Sequence, residues 1–149
     1  MVFHYLEPID FGLIFLGVKE VAPEPIIRNT DSNLYHKLLI KDDIAVSSNG
    51  AHLCLSGLIS HVKCGYMKAL SGFASNGEVF HENIFVVSVH SLSGDSGGPM
   101  FSYIQNQMLV SLNGILTGGL GDNINGSISG VITMSSILNI VNITLVKVT

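Results

Sequence analysis

The hexapeptide Gly94-Asp95-Ser96-Gly97-Gly98-Pro99 is the part of this 149-residue chain whose residue types and order point most directly to chemistry. A serine between glycines sits where the backbone turns tightly and lets a ligand approach the main chain closely. Backbone N–H groups around such a turn can converge on one point and stabilise an oxyanion beside the serine hydroxyl. That hydroxyl is a poor nucleophile unless a base takes its proton. The histidines that could serve as base are His4, His36, His52, His61, His81 and His90.

The elements that must position this turn read as short strands. Hydrophobic residues make up 47% of the chain and charged residues 12%, which excludes an intrinsically disordered polymer. Sixteen glycines and a 7% aromatic content with no tryptophan suit strands and turns better than a helical bundle. Strand-sized runs are expected at residues 10–16, 37–40, 44–47, 65–70, 83–89, 108–112 and 130–134. Turn clusters separate them at 47–50, 75–77, 93–98 and 118–126, and the prolines of residues 21–25 mark a linker. Asp42-Asp43 reads as a solvated turn. Residues 135–141 are the best helix candidate, with Ser135 or Ser136 as its cap. The expected fold class is all-β, a barrel or sandwich of six or so strands between residues 26 and 134 followed by one helix.

Charge and length narrow the function classes. Seven basic against 11 acidic residues leave a net charge of -4, so nothing points to a nucleic-acid partner. No apolar run approaches 18 residues, so no helix of the kind that spans a membrane is expected. The opening MVFHYLEP lacks the basic start and apolar stretch of a secretory signal, which suits either a cytosolic protein or a piece of a longer chain.

The six residues around Ser96 are similar to the nucleophile loop of chymotrypsin-like serine peptidases. The stretch from Cys54 through Ser56, Gly57 and Ser60 to Cys64 and Gly65 resembles the C-x-S-G-x-x-(T/S)-x-x-x-C-G segment of the streptogrisin and α-lytic branch. The resemblance implies a Cys54–Cys64 disulfide and a second antiparallel β-barrel of a double-barrel fold, with a C-terminal helix. It further implies that Gly94 and Ser96 supply the oxyanion hole. Gly114-Ile115-Leu116-Thr117-Gly118-Gly119 resembles the strand that pairs with substrate, with Thr117, Gly118 and Gly119 in contact. Gly130-Val131-Ile132-Thr133 resembles the strand that walls the specificity pocket. Asp10-Phe11-Gly12-Leu13-Ile14 matches the family's acidic-triad strand, which makes Asp10 either the residue that orients the imidazole or a strand-end cap. His90, six residues before Ser96, is either the base of the specificity pocket, suited to acidic or polar side chains, or a solvent-facing strand end. The position four before Ser96, often a cysteine in the family, is Leu92, so the pocket wall is expected to rest on packing alone.

The pattern breaks at the general base. The family places its histidine well upstream of the aspartate, and only His4 precedes Asp10, in an unmatched context. Six residues of strand would put the two about 20 Å apart unless the chain turns at Pro8. The other histidines are expected in loops or on the surface. The reading is therefore residues 1–25 as a remnant of a first barrel and linker, and residues 26–149 as a barrel carrying the nucleophile loop. The function implied is a serine-type endopeptidase acting on peptide or protein substrates, without metal or cofactor, lacking the general-base histidine within these 149 residues and extracellular by resemblance. The alternative is an inactive homologue that binds peptides or proteins.

Overall fold

The computed structural model describes residues 2–5, 7–17, 21–75, 77–105, 108–122 and 126–149. Strands dominate, and the helix among the described residues is α1 (Met134–Ile140). β1 (Val2–Tyr5) and β2 (Phe11–Ile14) form a two-stranded antiparallel sheet. The remaining strands belong to one large sheet. They are β3 (Ile26–Arg28), β4 (Lys37–Asp43), β5 (His52–Gly57), β6 (His61–Ser75), β7 (Phe80–Val87), β8 (Pro99–Tyr103), β9 (Leu109–Asp122) and β10 (Gly126–Thr133).

Pairings run in a circuit from β9 through β10, β7, β6, β5 and β8 back to β9. The β5–β8 link consists of two residue pairs, Cys54 with Phe101 and Leu55 with Met100, so the barrel is not tightly closed. The 14-residue β9 is long enough to serve three neighbours along its length: β4 in parallel at its start, then β8, then β10. β6 and β7 slip register three times, which bends the ribbon as barrel closure requires.

Two apolar cores result. Leu53, Leu55, Met67, Phe85, Val87, Met100 and Val131 pack together in one. In the other, Ile9 and Phe11 pack into the same cluster as Leu38, Phe101, Val110, Ile132 and the helix residue Ile137. Fully burying one such side chain is worth about 1.5–3 kcal/mol, so β2 is held by the same core as α1. Cys54 and Cys64 stand opposite each other on β5 and β6, their Cα atoms 4.0 Å apart, and are joined by a disulfide.

Several local expectations need correction. Eight strands rather than about six lie between residues 26 and 133, because β3 and β4 extend the sheet beyond the six-strand circuit. Residues 44–47 form no strand; the Asn113 side chain takes the carbonyl of Ile44 at 2.9 Å. Asp42 and Asp43 are not a turn but the end of β4, where Asp43 meets Lys147 at 3.6 Å. The glycine-rich stretch from residue 118 does not turn at once, since β9 continues through Asp122 in register with β10; Asn123 to Asn125 lie outside the described residues. The helix is capped by Thr133, whose hydroxyl accepts from the Ser136 N–H, rather than by Ser135 or Ser136. β1 and β2 are antiparallel, so the chain does reverse between them, and His4 stands opposite Gly12.

Candidate active site

Ser96 is exposed at the crest of a turn whose shape depends on two left-handed glycines, Gly94 at φ 101° and Gly97 at φ 84°. Three N–H groups of the turn are engaged: Asp95 to the Leu92 carbonyl at 3.0 Å, Gly97 to that of Leu116 at 2.8 Å, and Gly98 to that of Asp95 at 2.9 Å. Among the described residues, the Gly94 and Ser96 N–H groups have no acceptor. The Asp95 carbonyl points to Gly98, and a trans peptide sets the Ser96 N–H on the opposite side. Two N–H donors of the turn that carries Ser96 thus remain free to bond a ligand.

Asp95 holds this turn from beneath. Its side chain is buried, at 1% exposure. Oδ1 accepts from the N–H groups of Ile59 at 2.8 Å and Ser60 at 3.0 Å, and Oδ2 from the Leu92 N–H at 2.8 Å and the Ser60 hydroxyl. Burial pushes the carboxyl pKa up, but the hydrogen bonds from Ser60, Leu92 and Ile59 outweigh it and hold the pKa at about 2. Gly57 makes room, since a Cβ there would stand 2.3 Å from Asp95 Oδ1. The segment before the loop is therefore fastened to it by two hydrogen bonds between Leu92 and Asp95, not by packing alone, and Leu92 itself is exposed.

Asp10 reaches the same neighbourhood through β9. Leu116 receives the Gly97 N–H and gives its own N–H to the Gly98 carbonyl at 2.9 Å, zipping β9 to the turn. The next residue, Thr117, donates its hydroxyl to Asp10 Oδ2 at 2.8 Å. Successive side chains of a strand point to opposite faces: Leu116 enters the core and Thr117 meets Asp10. Asp10, Thr117, Gly118 and Gly119 line a cleft of about 380 Å³, along with His81, Phe73 and Ile84. Ser96 lies in a second cleft of about 430 Å³ with Gly94, Gly98, Arg28 and Leu58.

His90 is exposed, and its Nδ1 is hydrogen-bonded to the Ser127 hydroxyl. The neighbouring Ser91 and Ser129 hydroxyls are 2.9 Å apart, and Ser129 also donates to the Val89 carbonyl at 2.7 Å. The segment entering the loop and β10 thus share a set of hydroxyls with one imidazole.

Among the described residues, no histidine hydrogen-bonds Ser96. His61 is engaged with Asp31 at 2.6 Å, and His4, His36 and His52 are exposed. His81, expected in a loop or on the surface, lies half-buried in β7; its Nδ1 is buried and among the described residues has no hydrogen-bond partner, in the cleft of Asp10 rather than that of Ser96. Sequence reasoning missed Arg28, although it is the only arginine in the chain. It also missed the contact between Asp10 and Thr117, which has no local signal.

No protein-family model and no curated protein matches the chain by sequence. Solved structures match it by shape. A chymotrypsin from Cellulomonas bogoriensis superposes with a TM-score of 0.79 at 19% identity, over 97% of this chain and 73% of that one. Protease A from Thermobifida fusca gives 0.69 at 19% identity, over 83% of this chain and 61% of that one. A serine protease described as glutamic-acid-specific, using a histidine triad in substrate binding, gives 0.71 at 18% identity, over 86% and 63%. The chain thus spans between 61% and 73% of the length of these three structures. The open-donor turn at Ser96, the strand behind it and these superpositions agree: the chain has the fold of the chymotrypsin-like serine proteases.

Proposed function

We propose that this chain is the nucleophile-bearing part of a serine endopeptidase. Ser96 Oγ attacks the scissile carbonyl carbon while an imidazole takes its proton. The Gly94 and Ser96 N–H groups hold the resulting oxyanion. Collapse of the tetrahedral intermediate expels the amine, which takes the proton from the imidazolium, and water then hydrolyses the acyl-enzyme. Asp10 orients the imidazole, and Gly118 and Gly119 pair with the substrate backbone as an added strand. The observation that carries this reading is the hydrogen bond from Thr117 to Asp10, one residue from the backbone bonds that tie β9 to the Ser96 turn.

The imidazole, in this reading, comes from a polypeptide segment outside these 149 residues, with residues 1–25 belonging to a first barrel and residues 26–149 to the second. His90 with its serine hydroxyls lies beside the substrate side chain and favours acidic or hydrogen-bonding partners. The glutamic-acid specificity of one structural neighbour supports that preference. Secretion follows by analogy with the bacterial proteases of the same fold.

A fluorophosphonate probe tests the reading. The full chain, mixed with a separately expressed first-barrel segment carrying a histidine, is expected to label at Ser96. Labelling no faster than in a Ser96→Ala control would refute it. The absence of a Ser96–histidine hydrogen bond among the described residues favours one rival: an inactive homologue that binds peptides in the same cleft without cleaving them.

A further inference from the structure

The buried carboxylate of Asp95 has four hydrogen-bond donors and, among the described residues, no cation in contact with it. A cation nevertheless stands one peptide unit away. Arg28 Nη2 donates to the carbonyl of Gly57 at 2.8 Å and to that of Leu58 at 3.2 Å. The Leu58 carbonyl and the Ile59 N–H belong to the same peptide group. Its oxygen faces the guanidinium, and its N–H gives a 2.8 Å hydrogen bond to Asp95 Oδ1.

We propose that Arg28 is a positioning residue for the nucleophile loop, acting on Asp95 as a countercharge relayed through the Leu58–Ile59 peptide. A peptide carries a dipole of about 3.5 D with its oxygen end negative and its N–H end positive. Here the oxygen end meets a guanidinium and the N–H end meets a carboxylate, so each charge strengthens the hydrogen bond of the other. The relay also fixes which way that peptide faces. If it rotated, its carbonyl would point at the Asp95 carboxylate.

The arginine is itself held in place. Ser56, which is buried, donates its hydroxyl to the Arg28 carbonyl at 2.7 Å and so ties β3 to the end of β5. On the far side of the turn, His61 has a left-handed backbone, φ 56°, and its ring is bonded to Asp31, three residues beyond Arg28. Residues 57–61 are therefore gripped from the β3 side by Arg28 and Asp31, and they grip the nucleophile loop through Asp95. Arg28 and Ser96 line the same cleft.

The consequence for catalysis rests on the reading of Ser96 as nucleophile; the consequence for loop order does not. Two measurements on the full chain read it: hydrogen exchange of the hydrogen-bonded amides of Asp95, Gly97 and Gly98, and NMR titration of the Asp95 carboxyl carbon. In Arg28→Met, exchange of those amides is expected to rise about tenfold or more, and the Asp95 midpoint to move up by about one unit. Amides of Phe101 and Leu112 in the neighbouring strands should be unchanged. Arg28→Lys, which keeps the charge but presents a single ammonium, should recover part of both effects. The proposal is overturned if Arg28→Met leaves the loop amides and the Asp95 midpoint where they were, or if Arg28→Lys is as impaired as Arg28→Met. Should Arg28→Met not fold, Arg28→Gln, which keeps a donor but not the charge, takes its place: a raised Asp95 midpoint with faster loop exchange supports the relay, and parent values for both overturn it. A protected loop whose Ser96 still fails to react in the complemented protein would refute the peptidase reading and leave the relay standing.

Discussion

Thr117 donates a 2.8 Å hydrogen bond to Asp10 across 107 residues of sequence. This bond fastens the residue after β1 and before β2 to the strand that also holds the Ser96 turn, and it sets the order in which substitutions should hurt. On the proposed reading of Asp10 as the acid that orients the imidazole, Asp10→Asn in the complemented protein should lower kcat by about 10⁴-fold. Thr117→Val removes one hydrogen bond to a charged group, worth about 1.5–3 kcal/mol, and should act mainly on the midpoint of urea unfolding. Equal effects of the two on kcat would contradict the assignment of Asp10 as the orienting acid.

Asp95 predicts an acid limb in stability. Its carboxyl is held near 2, below its ordinary 3.8, so the contribution is fully present above about pH 4 and is lost as pH falls through about 2. Asp95→Asn cannot accept at both oxygens and should destabilise at pH 6 by about 1.5–3 kcal/mol. The gap between variant and parent should close toward pH 2. Denaturant unfolding at a series of pH values checks this, and a gap constant with pH would contradict the origin given for the shift.

Gly57 is required by the same carboxylate. In Gly57→Ala the new methyl meets Asp95 Oδ1 at 2.3 Å and its Cγ at 2.5 Å. Overpacking of this kind costs about 1–3 kcal/mol. The expected outcome is a lowered melting temperature together with faster exchange of the Asp95, Gly97 and Gly98 amides, whereas Gly50→Ala, in a turn with nothing near its Cβ, should leave those amides alone.

The Cys54–Cys64 bridge closes a short loop across β5 and β6. Replacing both with alanine should lower stability by about 2.5–3 kcal/mol in the chain-entropy account, read as a shift in the denaturant midpoint. A double variant as stable as the parent would show that strand pairing alone holds the hairpin.

His90 and its serines predict a preference at the substrate side chain. With Ser96→Ala as background, short peptides ending in Glu are expected to bind about tenfold or more tightly than those ending in Leu, the scale of one or two charge-assisted hydrogen bonds. His90→Ala should abolish the difference. Calorimetric titration reads it, and equal affinities in the parent would set the acidic preference aside.

By itself the sequence determined what is written in contiguous residues. The tight turn around Ser96 follows from the glycines on either side of the serine, and the disulfide was implied by the resemblance of the Cys54–Cys64 segment to that of the streptogrisin and α-lytic branch. The all-β class was legible in short apolar runs cut by glycine, and the C-terminal helix in its spacing of apolar residues, although its cap fell one element earlier, on Thr133. Only the tertiary structure decided what meets what. The end of β4, the length of β9 through its glycines and the absence of a strand at residues 44–47 all depend on neighbours that no local window contains. The same holds for Asp10 beside Thr117, for Asp95 under the 57–60 turn and for Arg28 behind it, since each joins residues 29 to 107 positions apart. A hydrogen bond is satisfied at about 3 Å in space whatever the separation along the chain. Which distant donor reaches a given carboxylate is therefore a property of the folded sheet: β9 brings Thr117 to Asp10, and the β5–β6 turn brings Ile59 and Ser60 to Asp95.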